Sequence, residues 1–87
     1  MYVILAYDIR VKRVSKVQKI VKQYLRPVQR SVFEGFLSEG ELRRLKTELL
    51  TRINTEEDSV RIYSFQNFQG ASVDELGPVP GADNTII

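Results

Sequence analysis

The chain has 87 residues, 43% of them hydrophobic and 28% charged, with no cysteine and no histidine. That composition excludes disulfides, zinc held by thiolate or imidazole, and every Ser/His or Cys/His catalytic pair, so any chemistry must run on carboxylates, hydroxyls or a metal held by oxygen. The formal net charge of +2 conceals an asymmetry: residues 1–30 carry eight basic residues against one acid, Asp8, whereas residues 31–87 carry five against ten. Positive potential gathered on one part of the surface points to a polyanion, although a solvated basic helix face gives the same pattern. A chain this short forms one domain and buries only about 60 to 65% of its unfolded surface, so its core is thin and association is expected. No apolar stretch is long enough to span a bilayer, and Met1 leads into a strand pattern rather than a signal segment. A cytoplasmic protein with no membrane partner is the expectation.

Residues 2–9 are rich in β-branched and aromatic types and too short for a helix, which predicts a buried strand ending near Asp8. From Lys12 to Leu25 the period changes: Val14, Val17, Val21 and Tyr24 share one helical face, and Lys12, Lys16 and Lys19 line the other. Pro27 cannot continue that helix and disfavours helical geometry at Arg26. Residues 28–37 read as extended, with Gly35 marking a bulge or a bend that splits them into two strands. The sequence SEGE at 38–41 reads as a capping box opening a second helix, which Leu42, Leu45, Leu49 and Ile53 carry on one face. A polar turn at 54–58 then leads to the alternating strand 59–65. Beyond Gln66 the chain turns rich in glycine and proline, and is expected to form an arm that pairs with another molecule's sheet edge or stays unfolded.

Strand, helix, strand, followed by strand, helix, strand, is a double split βαβ arrangement of mixed α/β (α+β) class. It predicts a ferredoxin-like βαββαβ sandwich, with two helices on one face of an antiparallel sheet. The domain spans residues 1–65, with residues 66–87 as a carboxyl-terminal arm. The strands read as apolar on both sides, so the other face calls for a cover, and a second copy stacked sheet on sheet is the simplest.

In that plan Asp8 stands at the carboxyl end of the first strand. Taken alone, an aspartate there caps a turn or a helix start more often than it binds a ligand. One carboxylate is also a poor magnesium site, but a two-fold axis near the strand end would bring two copies of Asp8 together around one hydrated Mg2+. Tyr7 could lend its hydroxyl to a phosphate or simply pack. Arg10, Lys12, Arg13, Lys16, Lys19, Arg26 and Arg30 could grip a phosphodiester backbone, with Ser31 as a further phosphate donor or a residue that satisfies the sheet. Phe33, Val60 and Ile62 are core or dimer residues.

The opening MYVILAYDI, the basic helix ending KQYL, the segment VQRSVFEGFLSEGELRRL and the closing EEDSVRIYSF closely resemble the small CRISPR-associated Cas2 proteins, with SVFEG at 31–35 the most specific stretch. The likeness runs from Met1 to about Phe65. It implies a ferredoxin-like homodimer whose carboxyl-terminal segment adds a strand to the partner. It also implies a magnesium-dependent endonuclease acting on single-stranded RNA or double-stranded DNA, with Asp8 as the metal ligand, Tyr7 beside it, and Ser31 and Phe33 in the second-strand motif. A further implied role is architectural, in spacer acquisition: the dimer bridges two dimers of the CRISPR integrase subunit and holds a DNA duplex on its basic face. The stretch from Arg10 to Val14 is short and basic where many such proteins carry a longer, more acidic loop. The different expectation left open by the fold is a stand-alone ferredoxin-like RNA-binding module or toxin-type ribonuclease, against which the absence of the aromatic RNA-recognition signature counts.

Overall fold

A computed structural model describes residues 1–67 and 70–78. The elements run β1 (Tyr2–Asp8), α1 (Val11–Val21), β2 (Arg26–Gln29), β3 (Val32–Phe36), α2 (Glu39–Leu50), β4 (Ser59–Asn67) and β5 (Gly70–Leu76). They build one sheet in the order β2-β3-β1-β4-β5, with every neighbouring pair antiparallel. The first four strands and two helices are the ferredoxin-like βαββαβ arrangement, and β5 extends the sheet beyond β4.

β1 is paired along both edges, and its alternation assigns the two faces of the sheet. Val3 and Leu5 are fully buried, and their Cα partners Phe33 and Ile62 are buried with them. Val17, Ile20 and Val21 of α1 and Leu42, Leu45 and Leu49 of α2 close this core from above. Tyr2, Ile4, Ala6 and Asp8 point to the other face, which among the described residues no helix covers.

The capping box forms as the sequence predicts: the Glu41 amide donates to Ser38 Oγ at 3.1 Å, and the Ser38 amide to Glu41 Oε1 at 2.8 Å. Other boundaries move. Helix α1 stops at Val21 rather than Leu25, because the Tyr24 and Leu25 amides fold back onto the Val21 carbonyl and free Arg26 to start β2. Helix α2 ends at Leu50, yet Ile53 still packs against the core. The strand break in 28–37 falls at Arg30 and Ser31, not at Gly35. Gly35 lies within β3, where a Cβ would stand 3.0 Å from Leu25 Cδ2, so its small size admits Leu25 to the core.

The carboxyl-terminal segment also departs from expectation. β4 continues to Asn67, and residues 70–76 pair with the chain's own β4 from Val60↔Leu76 to Asn67↔Gly70. The expected boundary after residue 65 therefore falls inside β4. Ile86 and Ile87, the apolar end of the proposed arm, lie outside the described residues.

Gly77, just past β5, adopts φ +86°, and a Cβ there would meet the Asp58 carbonyl oxygen at 2.0 Å. Backbone stands against backbone, so neither side can yield cheaply. The Gly77→Ala variant is expected to lose about 1–3 kcal/mol of stability in urea denaturation, whereas Gly35→Ala, which meets the end of a flexible leucine, loses less.

Candidate active site

Asp8 is the last residue of β1, exposed on the uncovered face, with Ser59 as its Cα partner across β4. Among the described residues its carboxylate has no hydrogen bond or ion pair. It does not start the helix either: Arg10 is the N-cap of α1, with no side-chain cap. The Arg10 amide is taken instead by another aspartate, Asp58, whose Oδ1 accepts it at 2.9 Å. The more common use of a strand-end aspartate is thus filled by Asp58, and Asp8 is left facing solvent.

Asp58 is fully buried. Oδ2 accepts from Arg13 Nε at 2.5 Å and from the Asn54 amide at 2.8 Å, and Oδ1 also accepts from Arg13 Nη2 at 3.0 Å. Arg13 reaches Glu57 as well, at 2.7 Å. A buried carboxylate is costly unless paired and fully hydrogen-bonded, and here both oxygens are occupied. The Arg13 guanidinium and the two backbone amides, working against the burial, hold the Asp58 carboxyl down at about 2, and the hydrogen bonds to Asp58 and Glu57 push Arg13 up. The sequence shows Asp58 only as the end of a polar turn. Its partner lies 45 residues away, so no local pattern marks it.

The remaining site residues divide between faces. Tyr7 points toward the helices, its ring stacked on Phe33 at 5.9 Å and its hydroxyl accepting from Gln18 Nε2 at 3.0 Å. The sheet pleat thus puts Tyr7 and Asp8 on opposite sides. Ser31 accepts the Tyr7 amide through its carbonyl at 3.0 Å, which places it and exposed Arg30 at the same end of the sheet as Asp8 and Arg10. Arg13 is absorbed by Asp58 and Glu57, so the expected phosphate ligand is instead an internal clasp. Arg26 pairs with Glu34 at 2.8 Å but stays mostly exposed. Lys12, Lys16 and Lys19 are exposed on α1 and form no ion pair among the described residues. Lys16 and Lys19, with Gln23 and Arg52, line a groove of about 440 Å³ between the helices, on the far side of the sheet from Asp8. Phe33, Val60 and Ile62 are buried in the core beneath the helices, which leaves the uncovered face to other residues. Tyr2 stands between Phe36 and Phe65, with ring centroids at 5.4 and 6.1 Å, and Phe36 is 80% exposed. No group of three or more acidic side chains that could hold a metal occurs among the described residues.

The family model described as CRISPR associated protein Cas2 matches residues 1–72. The chain belongs to the Cas2 family. It is 44% identical over 86 residues to a Thermotoga maritima protein named CRISPR-associated endoribonuclease Cas2, covering 99% of each chain. It is 37% identical over 87 residues to the protein of that name from Methanosarcina acetivorans, covering 100% of this chain and 99% of that one. A crystal structure described as cas2 superposes with a TM-score of 0.72 at 42% identity, over 100% of this chain and 98% of the other. The Streptococcus pyogenes Cas2 structure at pH 6.5 gives 0.70 at 33% identity, over 79% of this chain and 92% of that one. Named relatives of this Cas2 chain are thus nucleases, and its fold is theirs.

The clasp makes a prediction about acid. The Asp58 carboxyl is lower in the folded state, at about 2, than its ordinary 3.8. Its stabilisation is therefore fully present above about pH 4 and lost as pH falls toward 2. Urea midpoints measured by circular dichroism from pH 6 to 2.5 should fall over that window. Asp58→Asn should start lower by about 3 kcal/mol and fall less steeply, its residual slope coming from the other carboxylates.

Proposed function

We propose that this Cas2 chain acts as a homodimer whose two Asp8 carboxylates hold one magnesium ion and cleave RNA phosphodiesters, as the endoribonuclease names of its relatives suggest. The observation that carries this reading is the Asp8 carboxylate itself, exposed at a strand end with its capping role filled by Asp58. The donor chemistry fits: magnesium takes hard oxygen ligands and completes its shell with water and phosphate, so one carboxylate from each of two chains is enough. A single chain offers too few, which makes the site depend on pairing. Bound magnesium would lower the pKa of its water and offset charge developing at phosphorus. Asp8 holds the ion, while Arg10 and Arg30, at the same end of the sheet, neutralise the phosphates on either side of the scissile bond. The aromatic cluster of exposed Phe36 with half-buried Tyr2 and Phe65 supplies apolar surface for sheet-on-sheet association, and exchange of β5 between chains would extend that contact.

A second reading is favoured by the lysine ridge of α1. Because Lys12, Lys16 and Lys19 have no ion-pair partner among the described residues and lie on the helix side, they can bind a duplex backbone without involving Asp8. In that reading the dimer works in the cytoplasm in spacer acquisition, holding double-stranded DNA and bridging dimers of the CRISPR integrase subunit, with or without cleavage.

Asp8→Asn is expected to lower magnesium-dependent RNA cleavage about 100-fold or more while leaving salt-sensitive duplex binding intact. Cleavage equal to wild type would sink the metal-site reading. Lys16→Glu combined with Lys19→Glu should do the reverse, weakening duplex binding and flattening the dependence of log affinity on log salt by roughly two phosphate contacts, with cleavage retained. Phe36→Asp should shift the protein toward monomer in sedimentation and lose cleavage in parallel.

A further inference from the structure

We propose that Asp58 is the positioning residue for Asp8: its buried carboxylate fixes the β1–α1 junction so that the Asp8 side chain meets its metal in one place. The inference rests on the reading of Asp8 as a magnesium ligand. Asp8 is the last paired residue of β1, opposite Ser59. Two residues on, the Arg10 amide donates to Asp58 Oδ1 at 2.9 Å, and Asp58 immediately precedes Ser59. The segments 8–10 and 58–59 therefore form a small closed frame, held by the strand pairing at one end and the Asp58 carboxylate at the other. Ile9, between them, is buried in the core. Arg13 grips the same carboxylate from the first turn of α1 through Nε and Nη2, at 2.5 and 3.0 Å. From the opposite side the Gly77 backbone lies so close to the Asp58 carbonyl that no side chain fits there. Every element meeting at this corner is thus tied to Asp58, while Asp8 spends none of its own hydrogen-bonding capacity on the fold. A ligand that must share one ion with its symmetry mate needs its Cα held, because metal–oxygen bonds tolerate only a few tenths of an ångström.

The frame is tested with Mn2+ as the probe, through its binding to wild type, Asp58→Asn, Glu57→Gln and Asp8→Asn, alongside amide hydrogen exchange at Arg10. Asp58→Asn, checked for folding by circular dichroism, is expected to weaken Mn2+ binding about 10- to 100-fold and to speed exchange at Arg10. Adding Asp8→Asn to it should cost little more. Glu57→Gln removes a neighbouring negative charge but leaves the Asp58 clasp, so it should stay within about twofold of wild type in Mn2+ affinity. That contrast separates positioning from simple loss of charge. Should Asp58→Asn fail to fold, Arg13→Lys, which keeps a cation beside Asp58 but loses the two-point grip, carries the same measurements. A folded Asp58→Asn with wild-type Mn2+ affinity overturns the proposal, as does unchanged exchange at Arg10. Wild-type protein whose Mn2+ binding is absent or indifferent to Asp8→Asn overturns the metal-site reading instead, and the Arg10 exchange result then decides the positioning claim.

Discussion

The central strand is the constraint on which the rest of the molecule depends. β1 is hydrogen-bonded to β3 on one side and β4 on the other, so its register is fixed twice over. Because side chains alternate, a slip of one residue would bury Asp8 and expose Tyr7, and would turn Val3 and Leu5 out of the core. Two fully buried side chains, together worth several kcal/mol of apolar burial, thus enforce the placement of a carboxylate that contributes nothing to packing. Stability and site geometry are set by the same register.

The two aspartates show how environment divides labour between identical groups. Asp58 is buried, its oxygens filled by one guanidinium and two backbone amides, and removing any of those partners would strand a charge in the interior. Asp8 is exposed, with no such partners among the described residues. The first aspartate has its affinity spent on the fold, whereas the second keeps its oxygens for something else. The basic residues divide likewise: Arg13, Arg26 and Arg61 are paired with carboxylates, and among the described residues the lysines of α1 are not. Charge counted along the sequence treats these alike, and only the folded contacts separate them.

What could be read from the sequence follows from which interactions are local. The helix faces, the Ser38–Glu41 box and the order of elements were legible because periodicity and capping act over three or four residues. The end of α1 was legible only in part: Pro27 bars the helix from Arg26 onward, but the pattern through Tyr24 still suits a helix, whereas the chain leaves it at Val21 and pairs Arg26 with Glu34 in β2. A glycine in an extended stretch usually marks a bulge or a bend, whereas Gly35 makes room for Leu25. Asp8 could be singled out as the one acid in the basic third of the chain. That Tyr7 faces away from it follows from strand alternation, but its contact with Gln18 depends on how α1 lies across the sheet. Asp58 depends on Arg10 and Arg13 at the start of α1 and on Gly77 past β5 meeting its turn at one corner, which no window of sequence contains.

The distribution of surface shows what a second copy, as proposed, would cover in so small a protein. One layer of helices covers one face of a five-stranded sheet, and the opposite face keeps Tyr2, Ile4, Phe36 and Phe65 together with Asp8. On that face Arg61 pairs with Glu75 at 2.9 Å and Arg26 with Glu34 at 2.8 Å. What remains there for a partner, among the described residues, is apolar area and the unclaimed Asp8 carboxylate. Stacking two such faces would bury the first and pair the second, so the association that completes a thin core is also the one that could complete a metal shell. The lysine ridges, lying on the helix layers, would then face outward on both sides of the assembly. A polyanion held there and a phosphodiester held at Asp8 would occupy different surfaces, and on the proposed reading binding and cleavage would then be separable.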